Sequence, residues 1–197
     1  MRTKSSRAAG DLARKKEDAW FRARDRQLLE KAQKESQRRA WRARLAEVVG
    51  VADEAYLEDL EEHGFAPETV PLLFVVPLFM VAWSDGEVSE KERRKILQVA
   101  RERGLDPKSP AWARLEGWLA ARPGPSFFEH AFKLLRRMLD ANPEAKERVA
   151  RHIVDRSVEV AEASGGFLGI GPKVMSEEST LLDQIAKDLG VPAPTRD

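Results

Sequence analysis

Four oxygen-bearing side chains fall within eight residues: Asp85, Glu87, Ser89 and Glu92 stand at relative positions 1, 3, 5 and 8. Alternating oxygen donors open a calcium loop, and hard divalent cations such as Ca²⁺ or Mg²⁺ take oxygen ligands. A calcium loop, however, spans 12 residues and closes on a bidentate Glu at position 12. This turn lacks that closure. The same residues have a second use. Asp85-Gly86 permits a sharp reversal, because glycine accepts positive φ, and Ser89-Glu90-Lys91-Glu92 matches the S-x-x-E capping box. Two readings therefore stand: a divalent-cation site on Asp85, Glu87, Ser89 and Glu92, or an acid-stabilised turn followed by a helix cap.

No catalytic constellation accompanies this turn. The chain has no cysteine, which excludes a disulfide framework, thiolate metal sites and Cys nucleophiles. Its three histidines, His63, His130 and His152, stand in no metal-ligand spacing, and no Ser-His-Asp or HExxH arrangement is present. Hydrolysis by a metal-bound water at Asp85 and Glu92 needs more converging carboxylates than one turn supplies. The expectation is a non-enzyme.

The turn sits between two helical segments. Residues 70–83 form the most apolar run, 14 residues holding Pro71 and Pro77. A spanning helix needs roughly 20 residues, so this run reads as a buried core helix, capped by Thr69 and kinked at Pro77. Without a signal peptide the chain reads as soluble and cytoplasmic. After Ser89, the residues Ile96, Val99 and Ala100 mark an inward helical face that Gly104 ends. Asp53 caps an earlier helix carrying Tyr56, Leu57 and Leu60. Later helices carry Trp112, Leu115, Trp118 and Leu119, then Phe128, Phe132, Leu135 and Leu139 behind a Ser126 cap. Asn142-Pro143 opens another, and Ser176 caps the last. No stretch alternates as a strand does. The expected fold is all-α: a helical bundle with a protruding basic N-terminal helix.

Ala82, Asp85, Gly86, Val88 and Glu92 stand in the pattern of an apolar helix, then A-D-G-x-(small apolar)-x-x-x-E, then a second helix. On these residues the chain resembles the tellurite-resistance TerB-like family over about residues 66–190. Ser84 departs from the Ala usual there. The resemblance implies an all-helical bundle with an acidic surface, proposed to bind metal ions and to work in stress-response assemblies at the inner membrane face.

The stretch also returns. Val160-Ala161-x-x-Ser164-Gly165 parallels Val81-Ala82-x-x-Asp85-Gly86. After a seven-residue insertion, Val174, Glu178, Ile185-Ala186 and Gly190 parallel Val88, Glu92, Val99-Ala100 and Gly104. Two pseudo-repeated helix-turn-helix units are expected. The second turn loses the acid and gains GGFLGIGPK, which matches no phosphate-binding loop. Its Phe167, Leu168 and Ile170 either fold back on the bundle or form a docking tip for a protein or a peripheral membrane surface.

Charge divides the chain more sharply than its net +1 implies. Residues 1–50 hold fifteen Lys or Arg against seven Asp or Glu, a formal +8, which leaves the rest at −7. Past a first ten residues read as disordered, the stretch from Asp11 to about Val49 is free of Pro and Gly and rich in helix formers. It resembles the helical arm of bacterial rotary-ATPase inhibitor subunits in the spacing of Trp20-Phe21, Arg38-Arg39, Trp41 and Gly50. The domain reading is a basic arm over 1–50, a helical domain over 51–190 and a tail over 191–197. Trp20, Phe21, Arg38, Arg39 and Trp41 are the arm's candidate partner-binding residues. They would rest on the acidic body, on a second copy or on an acidic protein partner, or bind RNA with the tryptophans stacking on bases.

Overall fold

A computed structural model describes the backbone of residues 3–164 and 174–194, with side chains over 20–163 and 178–194. The chain is helical throughout its described length: eight α-helices, one 3-10 helix and no strand among the described residues. It divides into two compact units, residues 1–44 and 45–197.

The first unit belongs to one helix, α1 (Thr3–Val49). The helix takes in residues 3–10, where the short, basic, small-residue composition predicts disorder. Ala8 and Ala9 favour the helix there, and one interior glycine, Gly10, costs only about 1 kcal/mol. The last turn of α1 belongs to the second unit, where Leu45 and Val49 are buried.

The second unit begins with α2 (Glu54–Glu62), which Asp53 caps by accepting from Tyr56 N at 2.7 Å. Tyr56, Leu57 and Leu60 are buried as the spacing indicates, and the Tyr56 hydroxyl donates to Leu134 O at 2.9 Å. The apolar run is not the single kinked helix expected. It is a 3-10 helix, Val70–Val75, followed by a short α3 (Val76–Ala82). Pro77 has no N–H to give the carbonyl four residues back, so the ladder restarts and Pro77 falls in the first turn of α3. Thr69 precedes the 3-10 helix without capping it; its hydroxyl accepts from Ala66 N at 2.8 Å instead.

The remaining helices are α4 (Glu90–Glu102), α5 (Pro110–Ala120), α6 (Pro125–Asp140), α7 (Pro143–Ser164) and α8 (Val174–Leu189). Ser109 caps α5 by accepting from Trp112 N at 3.1 Å. Two expected caps are corrected. Gly124, in extended conformation before Pro125, precedes α6, so Ser126 lies inside the first turn. Similarly, α8 starts at Val174 and takes in Ser176. The α6 stripe of Phe128, Phe132, Leu135 and Leu139 is buried, as are Trp112, Leu115, Trp118 and Leu119 of α5.

Helix α7 packs on α3, α4, α6 and α8, and α3 packs on α6 and α8 as well. All of α3 except half-buried Met80 is enclosed. The core thus lies around the run that precedes the acidic turn. Among the described residues no helix is long and apolar enough to cross a membrane.

Candidate functional site

The acidic turn is held from three sides. Helix α3 ends as Trp83 N donates to Phe79 O, and the Trp83 indole donates to Trp118 O at 3.0 Å, tying the end of α3 to α5. Gly86, at φ 99°, reverses the chain, and nothing lies within 4 Å of where a Cβ would stand. A side chain at Gly86 would meet backbone strain, with no clash to add to it. Asp85 is exposed, and its Oδ1 accepts from Glu87 N at 3.2 Å. Ser89 then caps α4: its Oγ accepts from Glu92 N at 3.3 Å while Glu92 Oε2 accepts from Ser89 N at 2.8 Å. Both halves of the capping box are present.

Glu92 is only 2% exposed. Burial raises its carboxyl above the usual range. The Ser89 hydrogen bonds oppose that rise, and the Asp85 and Glu87 charges add to it. A second buried carboxyl stands near it. Glu178, on the first turns of α8, is 4% exposed, and its pKa is raised by burial and then by the charges of Glu92 and Asp85. Unlike Glu92, Glu178 has no hydrogen bond or ion pair among the described residues to offset its burial. The Ser84 hydroxyl oxygen is buried beside the turn without a hydrogen-bond partner.

The proposed ligand set therefore divides. The Asp85, Ser89 and Glu92 side chains each accept from a backbone N–H within the turn, Glu87 is exposed, and Glu178 joins Glu92 and Asp85 electrostatically. Among the described residues no group of three or more His, Cys, Asp or Glu is arranged to hold a metal ion. The sequence reading placed Glu178 opposite Glu92 in the repeat without giving it a role at the site. The equivalence was the signal, but burial depends on how α8 packs against α3 and α7.

On the arm, Trp20 is 62% and Phe21 50% exposed, and their rings meet edge to face with centroids 5.1 Å apart. Leu28 and Leu29 are exposed as well, the latter at 69%. Arg38 and Arg39 are exposed and Trp41 is half-buried. Phe167, Leu168 and Ile170 lie outside the described residues. His63 and His130, far from the acidic turn in sequence, stack with centroids 4.6 Å apart. Each ring's Nδ1 donates to the carbonyl one turn back, Asp59 O and Ser126 O respectively. His63 is the C-cap residue of α2, and His130 lies in the second turn of α6.

No protein-family model, curated protein or solved structure matches the chain.

Proposed function

We propose that this protein is a non-enzymatic, TerB-like interaction scaffold whose basic arm docks on the acidic body of a second copy. The observation that carries the reading is the exposed apolar set Trp20, Phe21, Leu28 and Leu29 within residues 1–50, a segment of formal charge +8, in a chain whose remainder carries −7. Aromatic anchors flanked by arginines are the composition of interface hot spots. Opposite charge brings such surfaces together and sets their register. The resemblance implies work for such a scaffold in stress-response assemblies of the tellurite-resistance type.

Sedimentation velocity of the full chain tests this. The account expects a dimer that weakens with added salt, and at least about a tenfold loss of self-affinity in Trp20→Ala/Phe21→Ala. A monomer at every concentration and salt contradicts it. Salt-dependent binding of polyuridylate that the same double variant abolishes would assign the arm to RNA instead.

A second reading rests on Glu178. A carboxyl buried to 4% exposure, with no hydrogen bond among the described residues and its pKa raised by the charges of Glu92 and Asp85, gains from a divalent cation that neutralises the set. Such a cation, Ca²⁺ or Mg²⁺, would link α8 to the turn that starts α4. Calorimetry with Ca²⁺, Mg²⁺ and Mn²⁺ would show heat that Glu92→Ala and Glu178→Ala remove. No heat at millimolar metal ends this reading.

A further inference from the structure

The other end of α4 carries the opposite charge. A cleft of about 450 Å³ opens there between α4 and α7. Three arginines, Arg103, Arg148 and Arg156, line it together with His152, against one carboxylate, Glu102. Val99 and Val149 supply its apolar walls. Its volume falls within the range of small-molecule pockets.

The arginines differ in what occupies them. Arg156 is engaged: it pairs with Glu102 at 3.0 Å and with Glu159 at 2.8 Å, and Lys95 joins Glu159 from α4 at 2.8 Å. Arg103 and Arg148 have no ion pair among the described residues. The Arg103 guanidinium lies over the Phe74 ring, 4.9 Å from its centroid, which holds the fork without neutralising it. Burial and the nearby Arg156 both work against its charge. His152 is driven towards its neutral form by burial and by Arg103 and Arg156, more strongly than Asp155 and Glu159 draw it back. The charges of Arg103 and Arg156 oppose one another, and an anion entering the cleft would relieve that repulsion.

We propose that this cleft is a binding site for the phosphoryl group of a small phosphorylated molecule, clasped by Arg103 and Arg148 and backed by Arg156. Guanidinium forks meet phosphate oxygens two at a time, a match a point charge lacks. Arg103 comes from the C-terminal cap of α4 and Arg148 from the first half of α7, so the ligand bridges two helices. Val99 and Val149 then face whatever the phosphoryl group is attached to. A neighbouring depression on α7 shares Arg148 and His152 with the cleft and adds the acids Glu144, Glu147 and Asp155; Arg151 lines this depression and not the cleft, and pairs with Glu147 at 2.6 Å. Arg151 is therefore a control of equal charge outside the cleft.

Calorimetric titration of the full chain with inorganic phosphate, pyrophosphate and ADP tests the proposal. Pyrophosphate is expected to bind. Arg148→Gln is expected to weaken it about tenfold or more, and Arg151→Gln to leave it unchanged. Arg148 is exposed, so its substitution leaves the core intact. Arg103→Gln should match the loss, its folding checked by circular dichroism because Arg103 is half-buried. Tighter binding of ADP than of pyrophosphate would show the apolar walls in use. Absence of heat with all three probes at millimolar concentration overturns the proposal. So does an equal loss in Arg148→Gln and Arg151→Gln, which would mark a diffuse charge effect.

Discussion

The arm and the body are helical for opposite reasons. In the body, short helices of 7 to 22 residues hold their shape because each buries a face against the others. In the arm, one helix runs 47 residues on Ala, Arg, Lys, Glu and Gln, with Trp20, Phe21, Leu28 and Leu29 exposed. The change comes within one turn of α1, from half-buried Trp41 to fully buried Leu45. A helix maintained by propensity alone is free to spend its aromatic residues elsewhere. That difference is the physical basis for assigning the arm to interaction and the body to support.

Substitutions can break the comparison from the body's side first. Trp83→Ala removes a buried indole and its bond to Trp118 O beneath the acidic turn, and should cost about 3–5 kcal/mol in denaturant unfolding. Trp20→Ala, by contrast, should change the stability of the dissociated chain by less than about 0.5 kcal/mol, because the ring is exposed there. Comparable losses in the two variants would erase the distinction between arm and body. Next in size is the α4 cap. Ser89→Ala and Glu92→Ala should each cost about 1 kcal/mol, and the double variant less than their sum, since the two side chains serve one box.

The buried acids give a pH signature. Glu92 and Glu178 hold their protons more tightly folded than unfolded, where a Glu titrates at about 4.3. The folded state therefore binds more protons above that value, and their contribution to stability falls as pH rises through the folded pKa. Glu92→Gln/Glu178→Gln should gain on the wild type between acid and neutral pH, as read by chemical denaturation at several pH values. A wild type that gains on the variant over that range would refute the assignment. The smallest effect belongs to Ser84→Ala. It removes a buried hydroxyl without a partner and should be neutral or stabilising, by no more than about 1 kcal/mol in thermal unfolding.

Much of this fold is written locally. Asp53 and Ser89 cap where their side chains reach the third following amide, and the Phe128–Leu139 stripe announces the buried face of α6. Prolines set boundaries that periodicity does not show: Pro77 splits the apolar run, and Pro125 starts α6 one residue ahead of Ser126. The sites were less legible because each spans two helices. Glu178 is a neighbour of Glu92 only once α8 is packed. Arg148, His152 and Arg156 do form a basic stripe at four-residue spacing, visible in the sequence, yet Arg103 joins them only across the α4–α7 contact.

The most direct test of the central claim is zero-length carboxyl-to-amine cross-linking in a mixture of ¹⁴N- and ¹⁵N-labelled full chains. Mass spectrometry then reads whether the two ends of each link come from the same copy. The account predicts mixed-isotope links from Lys31 and Lys34 of the arm to acidic residues between 51 and 197, lost at high salt. Links confined to single copies, or mixed links that join arm to arm alone, would contradict it.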